Sequence, residues 1–283
     1  MSGEPVPWSL GNPVTAVRET VRQASTARVY DYLCGGGHHF AVDRQFAEDM
    51  VKVLPNIKLV ARSNRAFLGR AVTFLARQGI TQFIDIGSGL PMTVGNVHEI
   101  SDRENPRRGR VVYIDNDPIC FARSEILVSD TADPARHQAL HGDYFDQHVL
   151  WERIAALGIT DFTEPIGLLV VGVMQFLPTE RHPERVLQWY RDQLPVGSYL
   201  VLSHGTTEGD DAGIIGEVAK AYTQRTSGGG YPRGRDYIAA LFGDFQLVAP
   251  GVAWTLNWRP DDQGYSGEPA DSAMLCGVAK KVR

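Results

Sequence analysis

From Thr81 onward, short apolar runs alternate with helical segments, and this alternation constrains the fold more than any other feature of the chain. Each run is bounded by Gly, Pro, Asp or Asn and is apolar enough to be buried on both faces. The predicted strands lie at 82–86, 111–114, 166–172 and 198–203, with a weaker one at 137–141. Helical segments such as 118–127 and 182–194 separate them. This alternation predicts an α/β fold with a parallel sheet and right-handed crossovers.

Two further strands are predicted late in the chain, at 245–248 and 272–280, with a long loop rich in Trp, Pro and Asp between them. We expect them to form an antiparallel pair at the sheet edge. Before Thr81 the chain is predicted to be helical from residue 14 to residue 78, with a break at Pro55. The apolar stripes of these helices lack a partner layer of their own, which indicates a cap on the sheet.

The predicted organisation has three parts: a flexible tail at 1–13, an N-terminal helical cap at 14–80 and an α/β domain at 81–283. No apolar run is long enough to span a bilayer, the tail lacks the apolar segment of a signal peptide, and three widely spaced cysteines give no disulfide framework. These features predict a cytoplasmic protein. The net charge of −5 provides no electrostatic footprint for nucleic acid or an anionic membrane, so neither is expected as a partner.

The most informative local motif follows the first predicted strand, where Asp85 precedes the turn Gly87-Ser88-Gly89. A Gly-x-Gly turn after a buried strand lets the backbone approach a ligand closely. The same pattern also forms plain tight turns, and the motif alone does not separate these two interpretations.

A second acid, Asp115, ends the next predicted strand and is followed by Asn116. Asp117 and Pro118 suit the N-cap and the first position of a helix. Asp115 is therefore available to accept hydrogen bonds from the two hydroxyls of a ribose. The alternative is that Asp115 only helps to cap the helix.

A third acid, Asp143, follows the weak strand and precedes Tyr144. Its carboxylate can accept a hydrogen bond from an exocyclic amine such as the adenine amino group. The alternative is that Asp143 is an ordinary turn residue.

Parallel strands bring Asp85, Asp115 and Asp143 to the edge where open α/β sheets bind ligands. The implied ligand has a ribose, a base with an amine and a positive charge, and Asp85 suits the ammonium group of a methionine moiety. NAD fits less well. Met92 stands where the dinucleotide fingerprint has its third glycine, and Pro91 stiffens the turn.

In the order of these motifs the chain resembles class I methyltransferases and, more narrowly, the actinobacterial S-adenosyl methyltransferase family of unknown substrate. The matching segments are 27–36, 64–68, 85–91, 113–118 and 197–204, with shorter matches at 250–251 and 258–260. The likeness extends from about residue 20 to the end of the chain. It implies a Rossmann-like fold with a seven-stranded, mostly parallel sheet whose last strand is antiparallel, and S-adenosyl-L-methionine as the cofactor.

The residues expected to bind the cofactor are Asp85, Gly87, Ser88, Gly89, Asp115, Asn116, Asp143, Tyr144 and Gln175. Gln175 marks a departure from the family pattern. Many relatives carry a His in a Val-Leu-His-Phe stretch after the fourth strand, and this chain has Gln175 in its place. A glutamine forms hydrogen bonds but cannot act as a base near pH 7.

The acceptor side is expected to draw on the segment around the glycine run 35–37. The candidates are Tyr30, Asp31, His38, His39 and Phe40. Each has a structural alternative, because aromatic residues are common in cores and a His pair in a loop is commonly solvated. The run itself predicts either a lid hinge that closes over the cofactor or a rigid turn whose glycines satisfy positive φ.

No metal site is predicted, because the spacing of His38, His39 and Asp43 matches no known ligand pattern. His204, after the fifth strand, is expected to make a structural hydrogen bond rather than to line a pocket.

Methyl transfer is a displacement at a sulfonium carbon that is already electrophilic, so a protein needs mainly to position the acceptor and exclude water. We therefore predict S-adenosylmethionine-dependent methyl transfer to an unidentified, small-molecule acceptor, with no catalytic residue assigned. Two alternatives stay open: a non-catalytic sensor or partner-binding protein that holds this cofactor or its product, and a nucleotide-dependent oxidoreductase.

Overall fold

The computed structural model describes residues 22–209, 212–260 and 267–283. The predicted tail and the beginning of the predicted helical segment therefore lie outside the described residues. Within these ranges, no helix combines the length and the apolar character needed to cross a membrane.

The strands form a single mixed sheet. They are β1 (Gln82–Ile86), β2 (Arg110–Asp115), β3 (His137–His141), β4 (Gly167–Val171), β5 (Tyr199–Gly205), β6 (Gln246–Leu247), β7 (Ala253–Trp254) and β8 (Met274–Lys280). Their order is β3-β2-β1-β4-β5-β8-β6, and β7 also pairs with β8. The first five strands are mutually parallel and β8 is antiparallel to β5, which confirms the predicted α/β fold with an antiparallel last strand.

The end of the sheet differs from the prediction in one respect. The expected strand at 245–248 is shorter, and a second short strand, β7, follows it, so the described sheet has eight strands instead of seven. Pro250, which has no N–H to donate to a ladder, separates the two pieces. The expected antiparallel pair is present: β6 lies at the edge of the sheet and pairs with β8, which also pairs with β5.

Helices cover both faces of the sheet. They are α1 (Thr26–Cys34), α2 (Ala41–Val53), α3 (Ile57–Arg77), α4 (Val97–Glu104), α5 (Pro118–Thr131), α6 (Gln147–Ala156), α7 (Pro183–Gln193), α8 (Ala212–Arg225) and α9 (Arg235–Ala240). All five residues of β1 are buried, and its side chains alternate between two hydrophobic clusters, with Ile84 in one and Phe83 in the other. This two-sided burial explains why the strands are apolar throughout.

The long helix α3 belongs to the layer that covers one face of the sheet. Phe67 and Leu75 of α3 pack with Phe83, Val111 and Leu169 of the strands in one buried cluster. By contrast, α1, α2 and the beginning of α3 form a separate cluster with α8. The boundary that we propose at residue 80 therefore divides the sequence but not the packing. Helix α3 precedes this boundary and still contributes directly to the core of the sheet.

Loss of the α3 contacts should destabilise the whole fold. Leu75 is fully buried, and Leu75→Ala is expected to lower the free energy of unfolding by about 2–5 kcal/mol, because it removes buried apolar atoms and leaves a cavity. Val53→Ala, at a residue of α2 that is 39% exposed, is the matched control with an effect of at most about 0.5 kcal/mol. Urea denaturation measures both.

A chain that starts at Thr81 lacks α3 entirely, and we expect it not to fold. If that truncated chain unfolds cooperatively and binds the same ligands as the full chain, the assignment of α3 to the core is wrong.

Candidate functional site

A cavity of about 320 Å³ lies at the carboxyl ends of β1, β2 and β3. It is lined by eight of the nine residues predicted to bind the cofactor: Asp85, Gly87, Ser88, Gly89, Asp115, Asn116, Asp143 and Tyr144. The parallel register makes this possible, because Ile86 pairs with Ile114 and Asp115 pairs with His141. The three strand ends therefore finish at one edge of the sheet.

The backbone conformation of the turn after β1 favours glycine at both Gly87 and Gly89. Gly87 and Gly89 have φ values of 69° and 67°, a region that side chains other than glycine rarely adopt. A Cβ on Gly87 would lie 2.4 Å from Cγ2 of Val173, whereas nothing lies within 4 Å of the corresponding position on Gly89. The turn is held to β2 by hydrogen bonds from the backbone N–H groups of Gly87 and Ser88 to the carbonyl oxygen of Ile114 (2.8 and 2.9 Å).

Both carboxylate oxygens of Asp115 accept hydrogen bonds from the backbone that forms the wall of the cavity. One oxygen accepts a hydrogen bond from the N–H of Gly89 at 2.8 Å and the other from the N–H of Asp117 at 2.9 Å. Asp117 itself caps α5 by accepting from the N–H of Ile119 at 2.8 Å, as predicted. Burial raises the pKa of Asp115 to about 6, although both backbone hydrogen bonds oppose the shift. Each oxygen retains a lone pair for a further donor.

Asp85 lies beside this carboxylate, at the end of β1, and is almost completely buried. Burial raises the pKa of Asp85 to about 7; the Arg65 guanidinium opposes this shift and the Asp115 carboxylate adds to it. A buried acid with a pKa near neutrality has a strong preference for a neighbouring cationic group, because such a group compensates for its lost hydration.

Asp143 and Tyr144 both line the cavity but differ in what holds their side chains. Asp143 forms a turn by accepting from the N–H of Phe145 at 2.8 Å, and this engages Oδ1 only. The hydroxyl of Tyr144 donates to the carbonyl oxygen of Pro183 at 2.8 Å, and its ring packs in the core. The Tyr144 side chain therefore has a structural role. For Asp143, the turn interpretation accounts for only one of the two carboxylate oxygens, Oδ1.

Gln175, the ninth predicted cofactor residue, lies at a different cavity. This second cavity measures about 120 Å³ and adjoins the first, with Tyr30 and Phe176 lining both. Gln175 lies in the 3₁₀ turn Met174–Phe176 after β4, and its role in cofactor binding stays a prediction.

The predicted acceptor-side residues do not all line the two cavities. Tyr30 lines both cavities, whereas Asp31, His38, His39 and Phe40 line neither. The reason is a local set of contacts around the buried Asp31 carboxylate. One of its oxygens accepts from the N–H of His38 and contacts Nδ1 of His39, each at 2.9 Å.

The remaining predicted residues of this segment also have structural partners. The ring of Phe40 faces the Arg28 guanidinium at 4.9 Å. Asp43 forms a fully buried ion pair with Arg28 at 2.7 Å instead of facing the two histidines. Across the described residues, no three His, Cys, Asp or Glu side chains are grouped so that they could hold a metal ion.

The glycine run has the geometry of a rigid turn. Gly35 terminates α1 in the left-handed conformation with φ 92°, and its N–H donates to the carbonyl oxygen of Tyr32. A Cβ on Gly36 would lie 2.0 Å from Oδ1 of Asp31, so the backbone passes too close to the carboxylate for any side chain. These contacts support the turn interpretation over the lid.

Several lining residues carry no role in the sequence interpretation. Asn64 and Arg65 face the first cavity from α3, and Ser227 and Gly228 reach it from the loop after α8. Two adjacent polar residues within the apolar stripe of α3 are a signal that could have identified Asn64 and Arg65. Nothing local marks the loop at 227–228, because it reaches the site only through tertiary packing.

The chain matches the model of the S-adenosyl methyltransferase family over residues 16–282. No curated protein matches it. A methyltransferase candidate from Thermobifida fusca is similar in structure, with 33% sequence identity, a TM-score of 0.85 and coverage of 97% of this chain and 100% of that chain. A DUF574 family protein from Streptomyces avermitilis has 32% identity and a TM-score of 0.86, with coverage of 92% and 98%.

A more distant likeness concerns the fold alone. An O-methyltransferase family protein from Burkholderia thailandensis is 12% identical with a TM-score of 0.51, and the match covers 84% of this chain and 62% of that chain.

The turn interpretation of the glycine run predicts that neighbouring glycines differ in their tolerance to substitution. Gly36→Ala should lower the free energy of unfolding by about 1–3 kcal/mol, because its methyl group would overlap the Asp31 carboxylate. Gly37→Ala should change it by less than about 0.5 kcal/mol, since nothing lies within 4 Å of the new Cβ. Thermal and urea unfolding of the two variants provide the comparison. Equal tolerance of both substitutions would favour a hinge.

Proposed function

The chain belongs to the S-adenosyl methyltransferase family, and we propose that this S-adenosylmethionine-dependent enzyme methylates a small-molecule acceptor. The observation that carries the proposal is the pair of adjoining cavities. The larger holds the three strand-end acids and the glycine turn, and the smaller is apolar. The narrower assignment to the actinobacterial family of unknown substrate, and a cytoplasmic location, stay predictions.

The larger cavity supports the assignment of cofactor-binding roles to its residues. Asp115 has the remaining lone pairs that two ribose hydroxyls require, and the second oxygen of Asp143 can accept from the adenine amine. Asp85, with its raised pKa, suits the ammonium group of the methionine moiety. The open space above Gly89 allows a ligand to approach the backbone. When bound, the cofactor supplies an electrophilic methyl group on a positively charged sulfur.

The smaller cavity supports the placement of the acceptor. Tyr30 and Phe176, which line both cavities, would flank the path along which an acceptor atom approaches the methyl group. Tyr30 is held firmly, because its hydroxyl donates to the carbonyl oxygen of Ala61 at 3.0 Å and accepts from Nδ2 of Asn64 at 3.1 Å. A fixed wall positions an acceptor and excludes water, which are the two requirements of this reaction. The comparisons favour neither a non-catalytic sensor nor an oxidoreductase.

The proposal predicts that the protein binds S-adenosylmethionine and S-adenosylhomocysteine but not NAD. Asp115→Ala should weaken binding of both ligands by about 1.5–3 kcal/mol, because hydrogen bonds to a charged acceptor are lost. Asp130→Ala, at an exposed acid of α5, is the matched control and should leave binding unchanged. Isothermal titration calorimetry measures these affinities. Tight NAD binding without binding of S-adenosylmethionine would overturn the assignment.

Cofactor affinity should also depend on pH. Free Asp85 and Asp115 have pKa values of about 7 and about 6, and both are expected to be ionised when the cationic cofactor is bound. Binding should therefore be tightest above pH 7 and weaken as the pH falls through 7 to 6, since protons then compete with the ligand. Calorimetry between pH 5.5 and 8 tests this. Asp85→Asn should flatten the part of the profile near pH 7, and an affinity that stays constant in the unmodified protein contradicts both roles.

A further inference from the structure

The described residues that line the smaller cavity carry no charged side chains. The cavity is lined largely by Leu, Ile, Val, Ala and Tyr side chains, and no described residue that lines it is an acid, a lysine, an arginine or a histidine. Its volume is about 120 Å³. An engineered cavity of about 150 Å³ lined by Leu, Ile and Phe binds benzene, so this space suits a molecule with a single six-membered ring.

Gln175 lines this cavity and carries a hydrogen-bond acceptor without a donor. Its Oε1 is buried, and no described residue donates a hydrogen bond to it. The Tyr30 hydroxyl, by contrast, is already engaged by Ala61 and Asn64. Because a buried carbonyl without a donor is unfavourable, a ligand that directs an N–H or O–H group at Gln175 would be stabilised there.

Among the described residues that line this cavity, none is suited to remove a proton at neutral pH. Burial raises the pKa of Tyr30 and of Tyr222, so both phenols stay protonated. His204 does not line the cavity: its Nδ1 contacts the carbonyl oxygen of Gly205 at 2.8 Å, and burial lowers its pKa to about 4. An acceptor in this cavity must therefore be nucleophilic without prior deprotonation by the protein.

We propose that the smaller cavity binds an uncharged arylamine with one ring and that the enzyme methylates its nitrogen, an inference that rests on the function proposed above. An arylamine is neutral at pH 7, carries an N–H donor for Gln175 and has a lone pair on nitrogen. A phenol would require a base, and an alkylamine would enter as a cation, which uncharged apolar walls disfavour.

The step balances without a further reactant. The lone pair of the amine nitrogen forms the new C–N bond to the methyl carbon as the C–S bond breaks. The electron pair of that bond stays on sulfur, so S-adenosylhomocysteine leaves as a neutral thioether. The positive charge passes to the methylated nitrogen, which releases its proton to water when the product leaves the cavity.

The test uses the full chain, S-adenosylmethionine and four probes of similar size: aniline, phenol, benzylamine and toluene. Mass spectrometry should detect N-methylaniline and S-adenosylhomocysteine in equal amounts, with turnover of phenol and benzylamine at least tenfold lower and none of toluene. Faster methylation of phenol or benzylamine overturns the arylamine assignment. If no probe reacts while S-adenosylhomocysteine still binds, this inference fails and the proposed function stands; if neither cofactor form binds, both fail.

Two variants locate the acceptor. Ala219→Phe places a ring in the smaller cavity and should abolish aniline turnover while leaving S-adenosylhomocysteine affinity within twofold. Ile214→Phe, on the exposed side of the same helix, is its control and should keep full activity.

Gln175→Leu should raise the KM for aniline about threefold to tenfold, with unchanged S-adenosylhomocysteine affinity. An unchanged KM overturns the role of Gln175. Thermal unfolding shows whether Gln175→Leu folds. If it does not fold, the comparison of Ala219→Phe with Ile214→Phe tests the proposal instead.

Discussion

The buried Arg28 guanidinium connects the N-terminal helices to the edge of the sheet where the cofactor is expected to bind. Arg28 of α1 contacts the carboxylate of Asp43 at 2.7 Å, and both side chains are fully buried. The same guanidinium lies 3.7 Å from Asp117, which also accepts from the hydroxyl of Ser25 at 2.8 Å. Asp117 caps α5 and donates its N–H to Asp115. Removing one partner of such a pair leaves an uncompensated buried charge, so loss of Arg28 or Asp43 is expected to destabilise the N-terminal helices and the adjoining start of α5.

This arrangement divides the chemistry between two adjoining spaces. The larger cavity concentrates buried carboxylates whose pKa values are raised towards neutrality, an environment that favours a cationic ligand. The smaller one is uncharged and closed on one side by α8, which comes from the opposite half of the chain. Under the proposed function, a positively charged sulfonium and a neutral acceptor would occupy separate cavities that meet at Tyr30 and Phe176. Because the methyl donor is intrinsically electrophilic, positioning of this kind is a sufficient contribution from the protein.

Much of the fold was predictable because local patterns and global packing agree. The structure has β1 and β3 at the predicted bounds. A run buried on both faces, such as β1, is recognisable from composition alone, whereas only two of the five residues of β3 are buried. The strand expected at 245–248 was less predictable, because only pairing with β8 decides where such a short edge segment begins and ends. At the site, the three acids were recognisable from their positions at strand ends, whereas Asn64 and Arg65 lie on a helix whose orientation depends on packing.

The sequence by itself determined the alternation of strands and helices, the acids at three strand ends and the cap at Asp117, because each depends on residues close together in the chain. Tertiary structure alone decided the rest. The loop at 227–228 reaches the larger cavity because of tertiary packing, far in sequence from the strand-end acids that it faces. Gln175 lines an apolar cavity whose other walls come from α1, α3 and α8, segments that lie far apart in sequence. The direction of a side chain depends on which distant surfaces pack around it, and no local pattern encodes that choice.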